Sequence, residues 1–151
     1  MSIVKKLFAK AEKNTKSEKA IDWTMYPARL APGLFFLSTA ADKLNADEET
    51  AKALHGMASV LPGTSSFDPQ TFVKLVAAAE LAIGGALVTP IVSNRVAGTA
   101  MAAFSAGLLG MYFGLPGMVR DNSKVRPSQE GTGLAKDVWL LGTGVSLAMR
   151  G

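Results

Sequence analysis

Long apolar runs alternate with polar segments along this chain, and the lengths of those runs predict its elements. Val96 to Val119, "VAGTAMAAFSAGLLGMYFGLPGMV", holds no charged residue; as a helix it would reach ~36 Å, more than a bilayer's hydrocarbon core. Val73 to Val92, "VKLVAAAELAIGGALVTPIV", is equally apolar except for Lys74 near its start and Glu80 about a third of the way along. Trp23 to Ala41 carries one charge, Arg29, and places Trp23 and Tyr26 where an interfacial aromatic belt would lie. A fourth run covers 132–149. Only Val138 to Met149 is uncharged there, ~18 Å of helix, so Lys136 and Asp137 must enter the membrane or its interface. A soluble helix is the alternative for that run.

These runs predict an all-α, integral membrane four-helix bundle with spans at about 23–41, 73–92, 96–119 and 132–149. The few residues between the second and third spans make those two antiparallel neighbours. The first loop contains an amphipathic stretch from about Ala46 to Leu61, with Leu54, Met57, Ala58 and Leu61 on one side, which reads as an interfacial helix ended by Pro62-Gly63. His55 lies in it, and a solvated loop histidine is the ordinary reading. Residues 1–22 form a basic tail, either an amphipathic helix on an anionic leaflet or a disordered segment. Its lysines place the N-terminus in the cytoplasm, and four spans return the C-terminus there, although the third loop is also basic.

In the third span Gly98, Ala102, Ala106, Gly110 and Gly114 recur every four residues. Small residues in such a stripe let another backbone come close. Packing within the chain is the first reading and a homodimer seam the second.

Composition narrows the chemistry. The chain is 48% hydrophobic and 19% charged, which leans towards a membrane protein. It has no cysteine and a single histidine, which removes disulfides, thiolate metal sites, iron–sulfur clusters and bis-histidine haem. No metal site, intrinsic cofactor or catalytic residue set is expected. The net charge of +4 gathers in the tail without a nucleic-acid recognition motif. No removable signal peptide is recognised.

Glu80 is then the outstanding residue, because an ionised carboxylate in hydrocarbon needs a partner, a proton or a task. Arg29 should lie near the opposite end of the bundle from Glu80, so the two make a poor pair. Lys43 and Lys136 lie on the side of Glu80, and Asp137 with them. The cluster of Glu80, Lys43, Lys136 and Asp137, with Arg29 apart from it, has two readings. One is a charge network that locks helices together; the other is a polar pocket for a head group, a quinone or a proton. Arg29 has an ordinary explanation in snorkelling to the interface.

Three blocks, "RLAPGLFFLSTAADKL", "AAAELAIGGALVTPIVSNRVAG" and "KDVWLLGTGVSLAM", resemble the DoxX family of small four-helix membrane proteins over about residues 26 to 149. The resemblance rests on Arg29, Gly33, Phe36 and Lys43, on Glu80, Gly84, Gly85 and Arg95, and on Lys136, Asp137, Leu141 and Gly142. The chain departs from the pattern at Ala40, where the family usually has glycine, and in its longer basic tail. The resemblance implies association with bacterial cytoplasmic-membrane redox systems. It points to an accessory, non-catalytic subunit of a quinone-linked respiratory complex, with other redox subunits and lipids as partners. A lipid- or quinone-binding or transport protein built on the Glu80 cluster is the alternative. An autonomous quinone reductase ranks last, since no flavin or nicotinamide fingerprint is present.

Overall fold

A computed structural model of the protein describes residues 22–151, and within them the chain is helical with no strand beyond one isolated bridge. The expected basic tail falls almost wholly outside the described residues. The helices are α1 (Tyr26–Leu44), α2 (Glu48–Ala58), α3 (Pro69–Val88), α4 (Asn94–Gly114), a single turn α5 (Thr132–Ala135) and α6 (Asp137–Arg150). Two of them, α3 and α4, are long and apolar enough to cross a membrane.

Local chemistry sets the boundaries. Asp47, Asp68 and Ser93 accept hydrogen bonds from the backbone N–H groups of Thr50, Thr71 and Val96, capping α2, α3 and α4. Pro69 then opens α3 at a position where a missing N–H costs nothing. The second run starts four residues earlier than expected and stops at Val88, because Pro90 cannot continue a helix. The third run ends at Gly114 before Leu115-Pro116; Met118 to Ser128 folds back on itself through an antiparallel bridge between Val119 and Pro127. The fourth run is interrupted at Lys136. The remaining fourteen residues of α6 cover only ~21 Å.

The long helices form two crossed antiparallel pairs, α1 with α3 and α4 with α6, while α3 and α4 touch over a much shorter stretch. The expected hairpin of adjacent runs is thus present but is not where the tight packing lies. Glycine explains the difference. A Cβ added at Gly33 would sit 2.8 Å from Val88 Cγ2 and 3.3 Å from the Gly84 carbonyl, and one at Gly84 would sit 2.9 Å from the Gly33 carbonyl. In the other pair a Cβ at Gly98 would lie 2.6 Å from the Gly144 carbonyl and the Ala148 N–H, and one at Gly144 would lie 2.7 Å from the Ala102 nitrogen. Only glycine permits such backbone approach.

The two crossings use matching positions. Gly98 stands where Gly33 does, Gly144 where Gly84 does, Leu147 where Leu87 does and Ala102 where Leu37 does. Leu87 and Leu147 are both fully buried. Phe36, Ile83, Leu87, Ala97, Met101 and Leu147, drawn from all four helices, join the pairs into one core, and Phe36 meets Phe104 edge to face at 5.4 Å.

Candidate functional site

Glu80 lies one helical turn before the Gly84 crossing. Because α1 runs antiparallel to α3, the residue that reaches it comes from the C-terminal turn of α1. That residue is Lys43, whose Nζ donates to Glu80 Oε1 at 3.0 Å and to the Thr39 carbonyl at 3.5 Å. Glu80 is buried; Lys43 is partly open. The carboxylate's other oxygen, Oε2, is buried and has no hydrogen-bond partner among the described residues, and the same holds for the hydroxyl of Ser105 on α4. A carboxylate offers acceptor sites on both oxygens, so half of this one is unsatisfied.

Lys43 also faces an apolar groove of about 290 Å³ lined by α2, α3, α4 and the turn after α2. Leu54 and Leu61 close it on the α2 side, Phe72 and Val76 come from α3, and Phe104 and Leu108 from α4. Gly107 lines it too, and an added Cβ there would meet nothing within 4 Å. Lys43 supplies the charge at this groove among its lining residues.

The segment around α2 holds the groove's cover in place. The His55 ring packs on Phe72 at 5.2 Å and its Nε2 bonds the Thr64 carbonyl at 2.9 Å, so the histidine is half-buried and engaged rather than solvated. The Thr64 hydroxyl donates to the Ala58 carbonyl at 2.8 Å, tying the turn after α2 to its last residue. The Asp47 and Asp68 carboxyls that cap α2 and α3 are held below the usual range, chiefly by hydrogen bonds from Thr50 and Thr71.

Arg29 sits at the other end of α1 and does not snorkel. It is buried and donates to five oxygens: Nε to the Leu87 carbonyl, Nη1 to the Val92 carbonyl and Asn94 Oδ1, and Nη2 to the Ala86 and Thr89 carbonyls, at 2.6–2.9 Å. Helix α3 breaks at Thr89-Pro90, which strands its last carbonyls. The guanidinium gathers them, and the Tyr26 hydroxyl adds a bond to the Val88 carbonyl at 2.6 Å. This is a helix-end staple.

Of the other residues singled out from the sequence, Lys136 is exposed and Asp137 half-buried at the start of α6, and neither forms an ion pair among the described residues. The small-residue stripe of α4 divides. Gly98 and Ala102 meet α6, Ala106 is exposed, and Gly110 and Gly114 lie under Leu61 and Val60 of the segment after α2. Spacing of four advances the stripe ~40° per step, so it leaves one neighbour and reaches another.

Sequence reasoning missed Ser105, one small polar residue in an alanine-rich run, and Asn94 as a partner of Arg29. The signal for the staple was present in Pro90, since a helix broken by proline leaves carbonyls needing a donor. No family model matches the chain, and neither a characterised protein nor a solved structure does.

Proposed function

We propose that the protein is a non-catalytic, multi-pass helical protein of the bacterial cytoplasmic membrane, with both termini cytoplasmic. In this reading it holds a small amphipathic molecule of the lipid or quinone class at the Lys43–Glu80 pair. The four long helices would then form the transmembrane bundle, with α2 at the interface. The observation that carries the reading is the placement of an ion pair, its carboxylate buried and half satisfied, beside an apolar groove. A structural role alone explains it poorly, because α4 and α6 make the matching crossing with Leu108 and Leu140 where α1 and α3 have Lys43 and Glu80.

The test is retention. Protein extracted in mild detergent should carry a stoichiometric apolar molecule in its organic extract, and Lys43→Leu combined with Glu80→Leu should lose it while remaining folded. Equal retention by that variant would remove the pair from the site.

The accessory-subunit reading keeps one specific support. Helix α6 is shorter than a ~30 Å hydrocarbon core and leaves Trp139 and Met149 strongly exposed, a face that a neighbouring subunit in a redox complex would cover. Co-migration with larger membrane redox proteins after native extraction would support it; recovery as a lone protein would count against it. The resemblance to DoxX proteins favours such a setting.

A further inference from the structure

Lys43 decides which head group the groove accepts. Its ammonium carries three protons: one goes to Glu80 and one to the Thr39 carbonyl, which leaves one for a bound molecule. Its charge, however, is already offset by Glu80 at 3.0 Å. Among the described residues the groove's other lining brings no second cation; it is aliphatic, aromatic or small, with Thr64 the one hydroxyl.

We propose that the groove takes a neutral apolar molecule whose head bears a hydrogen-bond acceptor such as a ketone or ester carbonyl, received by the third proton of Lys43, and that it disfavours anionic heads. This rests on the groove being a binding site at all. Charge in a poorly solvated place decides between the heads. An anionic head would share one ammonium with Glu80 and leave a net negative charge among apolar side chains, where uncompensated charge is costly. A neutral carbonyl takes the remaining proton without changing the charge of the site. The tail lies along Leu54, Val76, Phe104 and Leu108, and the groove's about 290 Å³ sits near the lower end of the ~300–1,000 Å³ usual for small-molecule pockets.

The inference makes Glu80 a specificity residue, and a swap tests it. The full chain is reconstituted in nanodiscs of ether-linked phosphatidylcholine, which brings no ester carbonyl of its own, and titrated with methyl decyl ketone carrying an isotope-labelled carbonyl carbon. Binding is read from the saturable shift of that carbonyl resonance, and dodecanesulfonate, ionised at any working pH, serves as the competing anion. For the native chain the ketone should bind saturably with a hydrogen-bond shift, and the sulfonate should compete about tenfold or more less well. Glu80→Gln leaves the Lys43 charge free and should reverse the order.

If the sulfonate displaces the ketone readily from the native chain, the neutral-head inference is overturned while the groove stands as a site. If the ketone shift is not saturable and is unchanged by Gly107→Leu, which fills the groove, the binding reading falls with it. Should Glu80→Gln fail to fold, Lys43→Leu with Glu80→Leu copies the residues of the second pair. That variant should keep the fold and lose the hydrogen-bond shift; an unchanged shift overturns the role of Lys43.

Discussion

The α1–α3 pair and the α4–α6 pair solve the same packing problem with different chemistry. Both cross at two glycines that let backbones touch, and both bury a leucine one turn beyond the crossing. The first pair adds a guanidinium at one end and an ammonium–carboxylate pair at the other. In the second pair Asn94 stands at the position of Arg29, with Leu108 and Leu140 at those of Lys43 and Glu80. Since an apolar version of the crossing exists in the same molecule, the crossing does not require charge. The two additions then separate. Arg29 answers a local need, the stranded carbonyls before Pro90, whereas Lys43–Glu80 meets no such need and leaves Glu80 Oε2 unsatisfied.

The largest effect expected from breaking this comparison is at Arg29. Arg29→Met keeps most of the apolar stem but removes five donors from buried or half-buried oxygens. The loss should be at least ~3 kcal/mol, given what stranded buried acceptors cost. Denaturant unfolding in detergent measures it, and a loss below about 1 kcal/mol would mean that water replaces the guanidinium at the helix end. Next is the ion pair. Lys43→Leu strands Glu80 and should cost about 3 kcal/mol, whereas Lys43→Leu combined with Glu80→Leu should return to within about 1 kcal/mol of the native protein. A double variant as damaged as the single one would show that the pair is structural after all.

The crossings themselves come third. Gly98→Ala and Gly33→Ala place the same methyl group at matching points, but they meet different atoms. At Gly98 the nearest obstacles are backbone, which cannot turn aside; at Gly33 the nearest is the Val88 side chain, which can. Gly98→Ala should therefore cost about 2–3 kcal/mol and Gly33→Ala about 1 kcal/mol, within the range for overpacking. Equal losses would mean that the α4–α6 pair separates as easily as a valine rotates.

The comparison also shows what could be read from the sequence. The apolar runs marked all four long helices, because period and length are local properties, and the amphipathic stretch around Leu54 marked α2. Boundaries moved wherever proline acted: Pro90 cut the second run and Pro116 the third. The pairing of helices was harder. Chain proximity favours α3 with α4, but glycines far apart in sequence let α1 reach α3 and α4 reach α6, and no local pattern states which glycine faces which. Of the polar residues, Glu80 announced itself by being an acid in an apolar run, and Lys43 was one of two cations on its side. Choosing Lys43 over Lys136 depended on the α1–α3 crossing, which is long-range information. Arg29 misled, since a cation near a span's end reads as snorkelling until its five acceptors are seen.

The smallest expected effect concerns acid. Helices α2 and α3 begin at Asp47 and Asp68, whose carboxylates accept from Thr50 and Thr71 and are lowered from the ordinary 3.8 for that reason. A carboxylate with a folded pKa below its unfolded value contributes stability that is complete above the unfolded value and is lost as pH falls through the folded one. The window therefore lies below about pH 4. Helix α4 begins at Ser93, whose hydroxyl has no proton to gain in that range. Acid should thus loosen the starts of α2 and α3 while sparing that of α4. The amide resonances of Thr50, Thr71 and Val96 report the three caps separately. The first two should move with midpoints below 3.8 and the third should not. Asp47→Asn keeps a capping oxygen without the titration, so it should abolish the Thr50 transition alone. A Thr50 transition that survives in that variant would assign the effect to another carboxylate near α2, with Glu48 and Glu49 in its first turn the nearest candidates.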